Sequence, residues 1–244
     1  MKLVIIIPTY NERENIQKLI PQIQLAIKDL EHKVSILVVD DASPDGTGKL
    51  VKNMQKKSKK IFLVTGEKKG LGNAYIRGIK YAIEDLVAEV IVEMDADFSH
   101  NPNDIPRLIN KIEEGADFVI GSRYVKGGKI SNWSGSRRLI SSWGNRFARY
   151  FLGISDVTDC TSGFRAIKAT CLRKIDFNLI KESGYSFQVR LLYEAKILRV
   201  QIKEVPINFV DRRSGETKLG SWDIIEFIVM SLRIGLSRLL RLNL

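Results

Sequence analysis

Cysteine and histidine are scarce in this chain, which limits the chemistry that its side chains can perform. Among 244 residues there are only two of each: Cys160, Cys171, His32 and His100. The cysteines lack the spacing of metal ligands and are too few for a disulfide framework, so we expect a reducing compartment. The histidines form no pattern typical of a catalytic dyad, so a histidine base is not indicated.

Long apolar runs are also missing. No stretch of about 18 uncharged apolar residues occurs, so the sequence predicts no membrane-spanning helix. The run at residues 3–7 is too short for a signal peptide and lacks the flanking residues of one. We therefore expect a protein on the cytoplasmic side of a membrane.

Acidic residues are absent from one long segment. Between residues 118 and 155 there is no Asp or Glu, and the basic residues there are Arg123, Lys126, Lys129, Arg137, Arg138, Arg146 and Arg149. The whole chain has a net charge of +11, which favours anionic partners such as phosphates, nucleic acid or an acidic membrane surface. Because Trp133, Trp143 and several glycines share this segment, we interpret it as a phosphate-handling region rather than a plain basic surface.

The apolar pattern predicts an α/β fold. Apolar runs at residues 3–7, 34–39, 61–64, 90–94 and 118–120 alternate with helix-like stretches at residues 13–29, 47–57, 72–86 and 103–114. Such runs fit strands covered on both faces, and the alternation predicts βαβ units with a mostly parallel sheet. We expect a doubly wound, Rossmann-like nucleotide-binding domain.

The periodic signal weakens after residue 121 and returns near the end of the chain. Residues 222–244 form an amphipathic pattern with a wide apolar face. Two interpretations stay open for this segment. It packs on the core, or it lies in a membrane interface or docks a small membrane subunit.

The most informative motif is Asp95-Ala96-Asp97, which ends the apolar run at residues 90–94. Two carboxylates at a strand end can be aimed by the following loop at a single ion. Paired oxygen ligands at the carboxyl edge of a parallel sheet suit Mg²⁺ or Mn²⁺ carrying a diphosphate. An acidic turn that merely closes the strand is the alternative when this motif is considered alone.

Polar loops follow the other predicted strands. Residues 8–12 (PTYNE) follow the first strand, and residues 40–47 (DDASPDGT) follow the second. Since the carboxyl ends of parallel strands meet at the ligand crevice of such folds, the acidic residues there can accept hydrogen bonds from a ribose or a base. Residues 68–74 open a helix with a loose glycine motif, which is weak evidence of phosphate binding.

Together these motifs resemble the inverting family 2 glycosyltransferases with the GT-A fold. The segments that carry the resemblance are residues 8–12, 40–41, 69–72, 95–97, 100–102 and 121–124. Residues 98–100, 123–128, 162–165, 209–212 and 215–220 are further similar to the dolichol-phosphate mannose synthases, over about residues 2–225. Single motifs are widely shared in the family, whereas their combined order and spacing are specific. The resemblance implies a GT-A catalytic domain over residues 1–220 and an amphipathic helix over residues 221–244.

The resemblance also implies a role for particular residues. Positions that hold the base and ribose are matched by Pro8, Tyr10, Glu12, Val39 and Asp41. Metal and diphosphate positions are matched by Asp95, Asp97 and the backbone of Ala96, with Ser99 where some relatives have Gln near the metal. Arg123 and Arg137 match positions that contact the donor or acceptor phosphate. Arg212 and Lys218 match positions in a mobile basic loop that closes over the diphosphate.

The implied reaction is mannose transfer from GDP-mannose to dolichyl or polyprenyl phosphate with inversion, using Mg²⁺ or Mn²⁺. Asp97, Arg123 and Arg137 would be the catalytic groups. A lipid phosphate is already anionic near neutral pH, so the enzyme mainly positions two anions and neutralises the leaving diphosphate. We expect a peripheral protein on the cytoplasmic face of the endoplasmic reticulum or plasma membrane, with small membrane subunits as possible partners.

Other functions are compatible with part of these features. The positive charge alone would suit nucleic-acid binding, but no recognised nucleic-acid-binding motif is present and paired carboxylates repel phosphates unless a metal intervenes. We therefore expect no nucleic-acid partner. A non-catalytic interaction module is a further alternative. Within the enzyme class, a polyprenyl-phosphate glucosyl- or aminosugar-transferase that uses a UDP-sugar is the main competitor.

Overall fold

A seven-stranded sheet forms the centre of the computed structural model, which describes residues 1–182, 184, 186–211 and 220–240. The strands are β1 (Lys2–Thr9), β2 (Lys33–Asp40), β3 (Ile61–Thr65), β4 (Val90–Glu93), β5 (Phe118–Ser122), β6 (Lys129–Ser131), β7 (Arg165–Lys168), β8 (Ile202–Pro206) and β9 (Asn208–Val210). The large sheet has the order β3-β2-β1-β4-β7-β5-β8, and β6 pairs with β9 separately. Only β7 runs antiparallel to its neighbours in the large sheet. The predicted mostly parallel α/β fold is confirmed.

Eight helices accompany the strands in the described part of the chain. They are α1 (Arg13–Ala26), α2 (Thr47–Lys57), α3 (Leu71–Glu84), α4 (Ile105–Glu113), α5 (Gly135–Leu152), α6 (Ala169–Leu172), α7 (Ser186–Ile197) and α8 (Ser221–Leu239). The four predicted helices are present with small boundary shifts. The first ends at Ala26 rather than residue 29, and the fourth is preceded by a 3-10 turn over Pro102–Asp104, where the Asn101 side chain accepts a hydrogen bond from the Asn103 backbone.

Two apolar cores lie on opposite faces of the sheet. Alternate residues of β1 divide between them: Leu3, Ile5 and Ile7 pack with α1 and α4, while Val4 and Ile6 pack with α3 and α7. Each of these five side chains is at most 1% exposed. This division explains why the strands are continuously apolar, because both faces of each strand are buried.

The segment with the weak periodic signal contains a long helix that the sequence pattern did not reveal. At the start of α5 the Ser134 hydroxyl accepts a hydrogen bond from the Arg137 backbone, and after the helix Gly153 has a φ of 65°. This helix buries Asn145, Ala148 and Leu152, whereas its bulky residues Leu139, Ile140, Trp143 and Tyr150 are exposed. The apolar residues of α5 therefore do not mark its buried face, and the sequence lacks the periodic pattern of an ordinary amphipathic helix.

The C-terminal helix α8 packs against α5 along one narrow stripe. Met230 and Ile234 enter the core, and the rings of Phe147 and Phe227 lie 6.1 Å apart. A Cβ on Gly235 would lie 2.8 Å from the Phe151 ring, so glycine allows the two helices to approach closely. Over the described ranges, no helix is both long enough and apolar enough to cross a membrane.

Candidate active site

Two adjoining cavities open at the carboxyl ends of the central strands. The first, of about 380 Å³, is lined by the loops after β1, β2, β3 and β4. The second, of about 340 Å³, is lined by the loop after β4 together with α5, α8 and β9. The residues that line both are Leu71, Asp95, Asp97 and Asp223. A molecule in one cavity therefore meets a molecule in the other beside three carboxylates.

The loops after β1 and β2 build the polar wall of the first cavity. Pro8, Tyr10, Glu12 and Asp41, for which the resemblance implies contacts to the base and ribose, all line it. The loops turn sharply at these strand ends, where Asn11 has a φ of 59° and Ala42 a φ of 51°. Positive φ is tolerated by Asn but is strained for Ala, which is consistent with a backbone shaped for binding.

One positively charged side chain lies in this wall and a second contacts it through Asp41, and neither belongs to the site residues predicted from the motifs. The Lys68 ammonium lies 3.6 Å from the centre of the Tyr10 ring and also lines the cavity. Arg77 on α3 forms an ion pair with Asp41. Burial raises the pKa of Asp41, and Arg77 offsets part of that rise. The wall thus combines an aromatic face with paired charges.

Val39 differs from the other predicted nucleotide contacts. Its side chain is 0% exposed and belongs to the core beneath α3, where a Cβ on Gly78 would lie 2.9 Å from it. Only the Val39 main chain lies toward the loops, since its carbonyl is within 3.5 Å of the Thr9 hydroxyl. The side chain therefore does not face a nucleotide.

The loop after β4 holds Asp95 and Asp97 at the junction of the cavities. The Tyr75 hydroxyl donates to Asp95 at 3.2 Å, and the Ser99 backbone donates to Asp97 at 3.0 Å. His100 Nδ1 accepts from the Asp95 backbone at 3.1 Å, so the ring proton resides on Nε2. Burial lowers the pKa of His100, which keeps the ring neutral. His100 thus supports this loop as a hydrogen-bond acceptor.

The residues at this junction fit a hard divalent cation. Asp95, Ala96 and Asp97 line the first cavity, and Ser99 joins the two carboxylates in lining the second. The Ser99 hydroxyl is buried and has no hydrogen-bond partner among the described residues. Within those residues no three His, Cys, Asp or Glu side chains form a complete metal cage. Mg²⁺ and Mn²⁺ sites at nucleotides commonly have this form, because substrate phosphates supply further ligands.

Arg123 lines the second cavity as half of a buried ion pair. Its guanidinium donates to both carboxylate oxygens of Asp159, at 2.8 and 2.7 Å, and its backbone N–H donates to the same group at 2.9 Å. Burial alone would raise the pKa of Asp159, but the Arg123 charge and the hydrogen bonds from Arg123 and from the Thr161 backbone together outweigh burial and lower it. The rings of Tyr124, Trp133 and Phe209 lie within 5.7 Å of the guanidinium carbon. Arg123 is therefore fixed in one orientation.

Arg137, the second predicted phosphate contact, is held more loosely. It donates to both oxygens of Asp211 at 2.9 Å and stacks 4.3 Å from the centre of the Trp133 ring. Its side chain remains 31% exposed, compared with 6% for Arg123. Both predicted arginines thus lie at the second cavity with Trp133 between them. Arg212 and Lys218, predicted to form a basic loop, lie outside the described residues.

A comparison with family models matches residues 4–176 to the family described as Glycosyl transferase family 2. The match includes all four strand-end loops that line the first cavity, the Asp95–Asp97 junction among them. The chain belongs to glycosyl transferase family 2. The family predicted from the sequence motifs is therefore confirmed.

Curated proteins similar to this family 2 glycosyltransferase carry related names. It is 42% identical to an undecaprenyl-phosphate mannosyltransferase of Micrococcus luteus, over 97% of this chain and 95% of that protein. It is 39% identical to a polyprenol monophosphomannose synthase of Mycolicibacterium smegmatis, over 92% of this chain and 83% of that protein. A dolichol-phosphate mannosyltransferase of Pyrococcus furiosus is 41% identical, and the match covers 93% of this chain but 62% of that protein.

Solved structures confirm the fold of this family 2 glycosyltransferase. Glucosyl-3-phosphoglycerate synthase from Mycobacterium tuberculosis, in complex with Mn²⁺ and UDP-glucose, superposes with a TM-score of 0.66 over 97% of this chain and 78% of that chain. A second complex of that enzyme, with Mn²⁺, UDP and glucosyl-3-phosphoglycerate, gives a TM-score of 0.63 over 99% of this chain and 81% of that chain. Sequence identity is 19% in both cases, so these neighbours establish the GT-A fold alone.

Several residues that support the site of this family 2 glycosyltransferase were not singled out by its motifs. Tyr75, Arg77 and Asp159 each hold a predicted site residue, and Glu204 accepts from the Thr158 and Asp159 backbones at 2.8 and 3.0 Å. Tyr75 is 0% exposed, and burial raises its pKa well above the ordinary value, so it remains a hydrogen-bond donor. None of these residues lies in a motif with its partner, and only the fold brings them together.

Proposed function

We propose that this enzyme transfers mannose from GDP-mannose to a polyprenyl or dolichyl phosphate with inversion, giving a polyprenyl-phosphate β-mannose and GDP. The observation that carries the proposal is the meeting of two chemically different cavities at Asp95 and Asp97. The names of three relatives at 39–42% identity, all polyprenyl-phosphate or dolichol-phosphate mannose enzymes, support the choice of sugar and acceptor.

The first cavity suits the nucleotide. It combines a ring face at Tyr10, acceptor oxygens at Glu12 and Asp41, and cationic Lys68. A nucleoside diphosphate needs these groups for its base, its ribose and its charge. Asp95 and Asp97 at the inner end would hold Mg²⁺ or Mn²⁺, which supplies charge neutralisation to the departing diphosphate.

The second cavity suits a phosphate joined to an apolar chain. Arg123 and Arg137 line this cavity, and so do the apolar side chains of Ile140, Trp143 and Phe227. Guanidinium groups bind phosphate oxygens through paired hydrogen bonds, and apolar walls accept an isoprenoid tail. Because Arg137 is the more exposed of the two arginines, it is the one better able to exchange its partner Asp211 for an incoming phosphate.

The reaction then requires no proton removal. An acceptor phosphate oxygen attacks the anomeric carbon, the bond from that carbon to the diphosphate oxygen breaks, and the electron pair leaves with GDP. Attack opposite the leaving group converts an α-linked donor into a β-linked product. The arginines reduce repulsion between the acceptor phosphate and the donor diphosphate, and the cavity walls align the two reactants.

An apolar surface beside the second cavity supports association with a membrane. On α5 the exposed residues are Leu139, Ile140, Trp143 and Tyr150, and on α8 they are Ile224, Ile225, Val229, Leu232, Leu236 and Leu239. Exposed Arg138, Arg146 and Arg233 lie on the same two helices. Apolar residues mixed with cations are typical of helices that lie in an anionic membrane surface. Peripheral membrane association, its cytoplasmic side and any small membrane subunit are parts of this proposal.

A panel of donors tests the proposed reaction. Purified protein in detergent, with Mn²⁺ and a polyprenyl phosphate, is expected to release nucleoside diphosphate from GDP-mannose and not from UDP-glucose or UDP-N-acetylglucosamine. Release from a UDP-sugar alone would replace the mannosyl assignment with the glucosyl or aminosugar alternative. No release from any donor, together with nanomolar binding of duplex DNA in 150 mM salt, would overturn the enzymatic proposal.

Removing leucines from the exposed face of α8 tests the membrane surface. The double variant Leu236→Ser/Leu239→Ser is expected to lower partitioning onto anionic phosphatidylglycerol vesicles about tenfold or more, because burial of each leucine contributes about 1.5–3 kcal/mol. Co-sedimentation measures the change. Leu25→Ser is the matched control, since Leu25 is 65% exposed on α1. Equal partitioning of the wild type, the double variant and the control would contradict membrane contact through α8.

A further inference from the structure

We propose that Arg77 is a positioning residue that sets nucleobase selection by holding the Asp41 carboxylate toward the first cavity. The inference rests on the proposed function, since it assigns the base end of the donor to this cavity. Arg77 contacts the Asp41 carboxylate and not the nucleotide. That carboxylate is called the reading group below, because the proposal assigns it to the base.

The geometry provides a dedicated place for the Arg77 guanidinium. Nη2 of Arg77 donates to Oδ1 of Asp41, and the two side chains are 25% and 8% exposed. A Cβ on Gly66, just after β3, would lie only 2.5 Å from Nη1 of Arg77. The absence of a side chain at Gly66 therefore leaves the space that Arg77 fills.

The neighbouring acid cannot replace Asp41 as the reading group. Asp40 is 2% exposed, and its carboxylate accepts hydrogen bonds from the Thr9 hydroxyl and from the backbone and hydroxyl of Ser43. Asp41 instead lines the cavity, beside Tyr10 and Lys68. The carboxylate presented to a base is thus that of Asp41.

The charges around Asp41 make Arg77 important for its ionisation. Burial and the nearby Asp40 both raise the pKa of Asp41, whereas Arg77 and Lys68 lower it. Arg77 is the stronger of the two opposing charges and also hydrogen-bonds the carboxylate. Loss of Arg77 therefore leaves Asp41 both less often ionised and less firmly oriented.

An ionised and oriented carboxylate selects bases by their N–H groups. Guanine presents a ring N–H beside an amino group, hypoxanthine presents the ring N–H alone, and uracil presents one N–H between two carbonyls. Adenine presents an unprotonated ring nitrogen that repels a carboxylate. A site built around such an acceptor discriminates strongly against ligands that lack the donor. The expected order of affinity is GDP, then IDP and UDP, and last ADP.

Calorimetric binding of GDP, IDP, UDP and ADP with Mn²⁺, between pH 5.5 and 8.5, tests the inference. Arg77→Met is expected to weaken GDP binding about tenfold at pH 7, because the charged hydrogen bond that orients Asp41 is lost. It should also lower the ratio of GDP affinity to ADP affinity. In this variant the loss of GDP binding at low pH should begin at a higher pH than in the wild type. The reason is that a protonated Asp41 is a poorer acceptor and Arg77 no longer keeps it ionised. Gly66→Ala should also weaken GDP binding, because the added methyl group displaces the Arg77 guanidinium. Arg77→Lys should retain part of the wild-type GDP affinity, because the positive charge is kept.

A matched control separates this role from general loss of charge. Arg107, whose side chain is half exposed, pairs with the buried Asp104 and lines neither cavity. Arg107→Met should leave the ratio of GDP to ADP affinity and the pH profile of GDP binding unchanged. If Arg77→Met does not fold, Gly66→Ala and Arg77→Lys carry the comparison. The inference would be overturned if the Arg77 variants keep the wild-type ratio of GDP affinity to ADP affinity and lose GDP binding at the same low pH as the wild type. The proposed function would still stand. A wild type that prefers UDP would overturn the GDP assignment. The Arg77 role would then stand if Arg77→Met moves the loss of UDP binding at low pH to higher pH, and would fall if it does not.

Discussion

Replacing Asp97 by Ala is expected to lower kcat about 1000-fold or more while the protein remains folded. Asp97 lies at the junction of both cavities, beside Asp95 and the Ser99 hydroxyl, which has no hydrogen-bond partner among the described residues. Charge neutralisation by a metal ion is worth several kcal/mol in the transition state, and about 4 kcal/mol corresponds to a thousandfold in rate. Steady-state release of GDP from GDP-mannose measures the loss of kcat.

Two further measurements make this result specific. Asp85→Ala removes an exposed carboxylate in the loop after α3 and should retain wild-type turnover. Mn²⁺ binding in the presence of GDP, followed by the electron paramagnetic resonance signal of free Mn²⁺, should weaken in Asp97→Ala and remain normal in Asp85→Ala. An Asp97→Ala variant with turnover within tenfold of the wild type would contradict the metal-binding role.

Asp159→Ala is expected to cost about 3–5 kcal/mol of folding free energy, which is a large part of the stability of a typical domain. The variant leaves the Arg123 guanidinium buried without its carboxylate, since the two side chains are 6% and 0% exposed. It also leaves the backbone N–H of Arg123 without an acceptor. Urea denaturation followed by circular dichroism measures the change in the free energy of unfolding.

The control for this prediction is another ion pair only three residues away in sequence. Asp156 pairs with Lys196 at the surface, where the side chains are 55% and 34% exposed. Because solvent screens such pairs, Asp156→Ala should change the free energy of unfolding by less than about 1 kcal/mol. Similar small losses in both variants would show that the Arg123–Asp159 pair is not a buried structural element.

The first half of the fold could be predicted because its signals are local. Continuous apolar runs mark β1, β2 and β4, and helix-like stretches separate them. The reversed strand β7 could not be recognised, because its sequence Arg-Ala-Ile-Lys has the appearance of a charged loop. The structure explains this sequence: Arg165 is 0% exposed and donates to the carbonyls of Cys160, Ser162 and Gln188. Within the described residues, each hydrogen bond of this buried arginine goes to a main-chain carbonyl, and such a residue gives no apolar pattern.

The site was predictable to the extent that single loops carry it. Residues at strand ends were identified because parallel topology gathers those ends, and most of them do line one cavity. Their partners were not identified, because the pairs Arg77–Asp41 and Arg123–Asp159 are each separated by 36 positions and Arg137–Asp211 by 74. No spacing rule reaches that far along a chain. The assigned roles of the site residues remain predictions for the experiments above.

The first turn of α8 has a mechanical consequence. Asp223 contributes to the walls of both cavities, whereas Leu236 and Leu239 at the far end of the same helix face outward. One continuous helix therefore joins the exposed apolar surface to the place where the two cavities meet. A tilt of the outer end of α8 would displace Asp223 and change the shape of both cavities.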